Sequence, residues 1–298
     1  MLSTLLCLPF FFLCLKTAFS FSIHASSFST THLCSHEEAA ALLQFKTSFS
    51  INCTIFPNSK TESWKEGIDC CSWDGVSCDN VTGHVIALDL RFGCFFGTFP
   101  SNSTLFKTFS GQIPPSLANL TQLTFLDLSD NQFSGPIPAS IGNLRQLTSL
   151  DLSSNNLSGQ IPPSLANLTQ LTSLDLSNNQ FSGPIPASIG NLRQLTSLDL
   201  SSCNLNGQIP PSLANLTQLT SLDLSNNQFS GPIPDSIGNL RQLTTLDLFS
   251  NNLSEQIPPS LVNLIQLTSL YLFNNQFSGP IPASIGNLRQ LTSLDLSF

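Results

Sequence analysis

The chain has 298 residues, 41% of them hydrophobic, so it carries ample apolar surface to bury and lacks the composition of a disordered segment. Only 9% of residues are charged and the net charge is -8, which excludes nucleic acids and acidic polysaccharides as non-specific partners because both would be repelled. A neutral or basic partner is expected.

Leu2 to Leu15 form an apolar run, followed by Lys16 and small residues near Ala18 and Ser20. This predicts a secretory signal peptide over residues 1–20 and a linker over 21–33. No other stretch approaches the roughly 18 to 20 apolar residues that span a bilayer, so no transmembrane helix is expected. Of nine cysteines, Cys7 and Cys14 fall in the leader. The other seven are Cys34, Cys53, Cys70, Cys71, Cys78, Cys94 and Cys203, an odd number for an oxidising compartment, so at least one stays unpaired or pairs outside the chain. Eight Asn-x-Ser/Thr triplets, at Asn52, Asn80, Asn102, Asn119, Asn156, Asn167, Asn215 and Asn252, agree with a secreted, glycosylated surface.

Asp-Leu pairs then recur at 127, 151, 175, 199, 223, 247 and 295, with Tyr271-Leu272 filling the one gap, a period of 24. A fixed period of this size means a solenoid. Each unit reads L-x-x-L-x-L-x-x-N-x-x-S-G-x-I-P, as at Leu123, Leu126, Leu128, Asn131, Ser134, Gly135, Ile137 and Pro138. The alternating Leu-x-Leu segment is a strand whose leucines point inward. One unit cannot bury its own apolar edge; stacked coils give one leucine core and a parallel sheet with strands roughly 4.8 Å apart. Phe133, Phe181, Phe229 and Phe277, alternating with Leu157, Leu205 and Leu253, are assigned to core filling. Asn131, Asn155, Asn179, Asn227, Asn251 and Asn275 share one slot, where side-chain amides satisfy backbone groups. Cys203 occupies that slot as a small buried side chain, expected to be a free thiol. A second period of 48 overlies the first, since residues 135–182 and 183–230 differ only at Asn155/Cys203 and Ser158/Asn206.

The chain contains no Gly-rich phosphate loop, no His-Glu-x-x-His pair, no Gly-x-Ser-x-Gly elbow and no paired-cysteine zinc spacing. No enzyme, cofactor or metal is expected. His84, at the entry to the first strand, reads as structural. The Asp column at 127, 151, 175, 199, 223 and 247 reads as solvated acids balanced by neighbouring Ser and Thr rather than as a cation site. Outward strand positions repeat as Ser-x-Asp-x-Ser at 149–153, 173–177, 197–201 and 221–225, a face that offers a ligand no preferred register. The pattern changes at Phe249, Tyr271 and Phe273, which are the candidate ligand-binding residues because exposed clustered aromatics anchor binding surfaces. Drift in a decaying duplicate, or cover by coils beyond Phe298, is the plainer reading of the same three residues.

The repeat pattern closely resembles the plant-type extracellular leucine-rich repeat. The flank agrees: "EEAAALLQFKTSF" (Glu37 to Phe49) is similar to the capping helix of that family, and "SWKEGIDCCSWDGVSCDNVTGHVIALDL" (Ser63 to Leu90) to its cap hairpin. With "SNSTLF" (Ser101 to Phe106), the chain resembles plant receptor-like proteins, cell-surface receptors with repeats and a membrane anchor but no kinase domain. The resemblance implies an α/β solenoid, a right-handed leucine-rich-repeat superhelix with a concave parallel β-sheet. Its cap covers residues 34–84 and its repeats 85–298. It also implies the disulfides Cys34–Cys70 and Cys71–Cys78, leaving Cys53 and Cys94 unassigned. Functionally it implies a module for recognising a protein or peptide ligand, with a receptor kinase as signalling partner, in defence or developmental signalling. Such a module is secreted or sits on the extracellular face of the plasma membrane. A secreted inhibitor of cell-wall-degrading enzymes, of the polygalacturonase-inhibitor kind, and a non-functional remnant are the alternatives. Asn119, Asn167 and Asn215, in one slot, predict a column of glycans on the flank, whereas Asn263, followed by Leu-Ile, drops out. Asp89 and Asp127 are 38 residues apart, ten short of two repeats, so one coil near 101–110 is expected to be incomplete, with an irregular patch and less well covered leucines beside it. The end at "LDLSF", inside a strand, predicts a fragment or truncated relative of a receptor ectodomain.

Overall fold

The main sheet grows from one short hairpin. In the computed structural model, which describes residues 34–51, 60–91, 93, 95–97 and 111–297, Val76–Cys78 pairs antiparallel with Val85–Asp89. Eight further strands then join in parallel, from Phe125–Asp127 and Ser149–Asp151 to Ser293–Asp295. Register is strict, with Leu150 opposite Leu174 and Leu198 opposite Leu222, because the coils from Asp127 on share one length. The leader, the linker, Cys53, Cys94, Asn52, Asn102 and the segment 101–110 lie outside the described residues, which all belong to a single unit, His32–Phe298.

The cap is built around α1 (His36–Thr47), one residue earlier at its start than the sequence suggested and two shorter at its end, because Phe49 already enters the strand Phe49–Ile51. Ser35 closes a capping box: its Oγ accepts from the Glu38 N–H at 3.2 Å, and Glu38 accepts from the Ser35 N–H at 3.3 Å. Glu38 is itself buried, and its Oε1 accepts from the Val85 N–H at 3.1 Å beside His84 Nδ1 at 3.3 Å. A buried carboxylate without such donors would be costly, so the helix is fastened to the first strand of the sheet. Phe45 and Phe49 lie 6.1 and 5.2 Å from Phe133, ring centre to ring centre, and carry the core from cap into repeats. Trp64 stacks on Trp73 at 5.5 Å. Disulfides join Cys34 to Cys70 and Cys71 to Cys78.

The expected patch of poorly covered leucines is corrected. Asp89 pairs directly with Asp127, so the sheet passes from Val85–Asp89 to Phe125–Asp127 without a break. Leu88, Leu90, Leu126 and Leu128 are all fully buried.

Two features were not anticipated. A second sheet of seven short parallel strands, from Ser134–Gly135 through Asn156–Gly159 to Gln276–Phe277, runs along the other side of the stack. Most of its strands close on a glycine in the left-handed region, such as Gly159 at φ 81° and Gly183 at φ 80°, but Glu255 holds that position at φ 67°. The return segments are five-residue 3-10 turns, Pro-Ser-Leu-Ala-Asn alternating with Ala-Ser-Ile-Gly-Asn, each preceded by proline. Each of these segments turns for five residues after its proline and then breaks toward the next strand, so α1 is the one α-helix among the described residues. The alternation is steric: a Cβ on Gly142 would stand 2.5 Å from the Ser164 carbonyl oxygen, and one on Gly190 2.5 Å from that of Ser212. Each glycine coil therefore lies closer to the coil after it than an alanine would allow.

The core is a column of leucines with Phe133, Phe181, Phe229, Leu157, Leu205 and Leu253 completely buried. The asparagine slot works as a ladder. Asn179 Nδ2 donates to the carbonyls of Leu152 at 2.9 Å, Leu176 at 3.2 Å and Ser177 at 3.0 Å, while its Oδ1 accepts from the Leu157 N–H at 2.9 Å. The amide thus uses every hydrogen-bonding capacity but one, bracing the turn of its own coil and tying it to the coil before. No helix of the described residues is long and apolar enough to cross a membrane.

Candidate functional site

Between the inward leucines of the main sheet, the alternate residues form straight columns on the opposite, concave face, because in-register strands stack like residues on like. The outermost column is threonine. Thr148 Oγ1 donates to Thr124 O at 2.9 Å, Thr172 to Thr148, Thr196 to Thr172, and so on to Thr292, so these hydroxyls are fixed by the preceding coil.

Past the serines at 149, 173, 197 and 221 comes the Asp column, which is less solvated than its sequence suggested. Asp127 is buried and its neighbours are half-buried. Ser129 donates its N–H and hydroxyl to Asp127 Oδ1 at 3.0 and 2.7 Å, and Ser153 does the same for Asp151. Burial first, and then neighbouring acids in the column, push the carboxyls of Asp127, Asp175 and Asp223 up; Asp175 reaches about 6. The cap end of the column is closed by Arg91, whose Nε lies 3.1 Å from Asp127 Oδ2 and whose Nη2 donates to Asp89 Oδ2 at 2.8 Å. Arg91, with Lys60 Nζ at 2.8 Å, holds the Asp89 carboxyl well below the usual range. For Asp127 the desolvation outweighs Arg91.

The other end of the face carries the departures. Phe249 and Phe273 replace serines one coil apart, and their rings stack at 4.7 Å within 5° of parallel. Tyr271 replaces the aspartate between Asp247 and Asp295, and the Ser293 hydroxyl donates to its Oη at 2.9 Å. The three aromatics are half-buried and stand together on the concave face. Replacing a serine by Phe249 leaves Asp247 with the residue-249 N–H, at 3.1 Å, and no hydroxyl donor. Burial, opposed only by that one bond, pushes Asp247 up to about 6. Aromatic area, a tyrosine hydroxyl and an easily protonated acid are thereby brought side by side.

Elsewhere the predicted residues are dispersed. Asn119, Asn167 and Asn215 are exposed at the ends of their 3-10 turns. Asn156 and Asn252 lie on the second sheet, where Gln180 and Gln276 donate to their Oδ1 atoms, and Asn80 is exposed in the cap. Cys203 is buried and free, its thiol pushed up to about 11 by burial. The sulfurs of Cys70, Cys71 and Cys78 lie within 4.8 Å of one another, but the two disulfides account for all three, so they do not serve as metal ligands. Sequence reasoning missed the Lys60–Asp89–Arg91–Asp127 chain of charges; its signal was Arg91, the basic residue directly after the first strand.

The family profile described as "Leucine-rich repeat region" matches residues 110–231 and 198–298, and that described as "Leucine rich repeat N-terminal domain" matches 35–79. Receptor-like protein 9DC1 of Solanum pimpinellifolium is 44% identical over 118 residues, covering 36% of this chain and 12% of that protein. The chain thus spans about an eighth of the stretch of sequence that this relative comprises. Among solved structures, the Arabidopsis receptor kinase HAESA in complex with the peptide hormone IDA and the co-receptor SERK1 superposes with a TM-score of 0.74 at 37% identity, over 87% of this chain and 41% of that one. A plant ice-binding protein superposes with a TM-score of 0.61 at 30% identity, over 89% of this chain and 86% of that one.

Proposed function

Because this chain belongs to the leucine-rich repeat family and carries that family's N-terminal cap, we propose that it is a ligand-recognition module of a plant receptor-like protein, secreted or displayed outside the cell. It binds a protein or peptide, in defence or developmental signalling, and acts by binding rather than catalysis, together with a receptor kinase as partner. The observation that carries this reading is the aromatic step at Phe249, Tyr271 and Phe273. From Ser149 to Ser225 the columns are uniform and give a ligand no register; the step breaks that uniformity with stacked rings that bury area at little entropic cost. The likeness to a peptide-binding receptor ectodomain supports it.

The test places a photo-crosslinking phenylalanine analogue at position 249 and exposes the purified chain to plant extracellular fluid. A peptide or protein adduct that is lost in the Tyr271→Asp/Phe273→Ser variant supports the reading; adducts unaffected by it count against the site. Retention of fungal polygalacturonase in a pull-down would favour the inhibitor alternative instead.

One observation favours a second reading, binding to ice. The threonine column presents like hydroxyls, each fixed by the coil before it, and a periodic face with no register suits a periodic ligand. The likeness to the ice-binding protein extends over most of that protein. Slowed ice recrystallisation by the purified chain, abolished by Thr172→Lys/Thr196→Lys, is the outcome this reading requires.

A further inference from the structure

The flank formed by the 3-10 turns carries its own column, in which arginine alternates with threonine: Arg145, Thr169, Arg193 and Thr217 follow one another at intervals of one coil. Thr169 and Thr217 complete the glycan acceptor triplets of Asn167 and Asn215. Depressions of about 490 and 370 Å³ beside Arg193 are lined by those triplets, so sugars there would fill the space between the arginines. Two coils further on the pattern breaks. Ile265 stands where threonine stood, between Arg241 and Arg289, and Val262 stands where Ala214 stood.

Both replacements are in one coil and both make the flank more apolar. The first also removes the acceptor triplet at Asn263. Ile265 is 59% exposed, so it does not serve the core. Arg241 and Arg289 are exposed and have no carboxylate partner among the described residues. An apolar side chain bracketed by two unpaired guanidinium groups is the complement of an apolar side chain inside a rim of acids. Guanidinium forks pair with carboxylates bidentately, and interface centres favour apolar contacts framed by charge. We propose that Arg241, Ile265 and Arg289 form a bare docking face for a partner protein whose contact surface carries an apolar residue surrounded by Asp and Glu. The face lies on the turns, away from the Phe249–Phe273 step, and is independent of the concave-face ligand.

The test pans a random peptide library displayed on phage against the chain produced in a glycosylating host, with Ile265→Thr as the counter-target. Ile265→Thr recreates at Asn263 the triplet already present at Asn167 and Asn215, so the fold accepts it, and glycopeptide mass spectrometry reports the added sugar. Enriched peptides are expected to combine Leu, Ile or Phe with Asp or Glu. Their affinity should fall about tenfold or more, or about 1.4 kcal/mol, for Ile265→Thr and for Arg241→Glu/Arg289→Glu, and persist for Ile265→Val. Retained binding by the Phe249→Ser/Tyr271→Asp/Phe273→Ser variant would separate this face from the concave one. Peptides lacking acids, equal binding to the Ile265→Thr chain, or no clone that distinguishes the two chains overturns the proposal. Self-association in sedimentation that Ile265→Thr abolishes would give the face to a second copy and overturn the choice of partner.

Discussion

The Cys203 sulfur reaches the Leu176 carbonyl oxygen at 3.5 Å, and there it replaces an amide that in the neighbouring ladder positions donates to three carbonyls and accepts an N–H. The thiol fills the space but not the bonding capacity, and the Phe181 N–H meets sulfur instead of an amide oxygen. Cys203→Asn is expected to stabilise the chain by about 1–2 kcal/mol, and Asn179→Ala to destabilise it by roughly 2–3 kcal/mol, in urea titrations. Because burial holds the thiol high, iodoacetamide should modify Cys203 at neutral pH only when the chain unfolds.

The acid column predicts a pH dependence. Asp175 and Asp247 have folded values of about 6, above the ordinary carboxyl value of about 3.9 in the unfolded chain. Such groups bind protons more tightly when folded, so stability rises as pH falls from 7 through 6 and levels off near 4. Asp89, held low, contributes fully above about pH 4 and is lost only below it, so it does not oppose the rise. After allowance for solvent screening the gain is roughly 1–2 kcal/mol, read as a higher Tm at pH 5 than at pH 7. Asp175→Asn/Asp247→Asn should flatten that difference.

Glu255 occupies a left-handed backbone position that glycine fills in neighbouring coils. Glu255→Gly is expected to stabilise by about 1 kcal/mol by relieving the strain, although glycine is ordinarily the more costly residue. A lower denaturation midpoint for Glu255→Gly would mean that its side chain supplies a contact worth more than the strain.

The flank predicts a sugar column. Asn119, Asn167 and Asn215 should each carry a glycan after expression in plant cells, and Asn263 none. Glycopeptide mapping that finds all three bare would remove both the column and the contrast at Ile265.

The coil period, the leucine core, the asparagine ladder and the aromatic step were legible because each is a local pattern repeated at fixed spacing, and stacking converts spacing directly into contact. The second sheet was not legible, since Asn-Leu-Ser-Gly and Gln-Phe-Ser-Gly are too short to show alternation and pair only once the coils are stacked. The direct union of Asp89 with Asp127 was hidden for the same reason: counting residues assumes that every coil has one length, whereas hydrogen bonding asks only that two strands meet. Glu38 looked like an ordinary first-turn acid because its partner, the Val85 N–H, is remote in sequence. The raised acids of the concave face were misread as solvated because burial depends on the coils above and below, which no single repeat reveals.

The alternation of glycine and alanine turns has a genetic reading. The approach of Gly142 to Ser164 and of Gly190 to Ser212 gives the stack a repeat of two coils, so a segment of two coils can be excised or inserted with every turn keeping the kind of neighbour it had. Deleting residues 183–230 would bring the turn at Pro163–Asn167 against the turn at Asp235–Asn239, a neighbour almost identical to the one it lost. Deleting a single coil would set two alanine turns, or two glycine turns, face to face. Unequal exchange between gene copies in double steps would therefore lengthen or shorten this array without changing the contacts between turns.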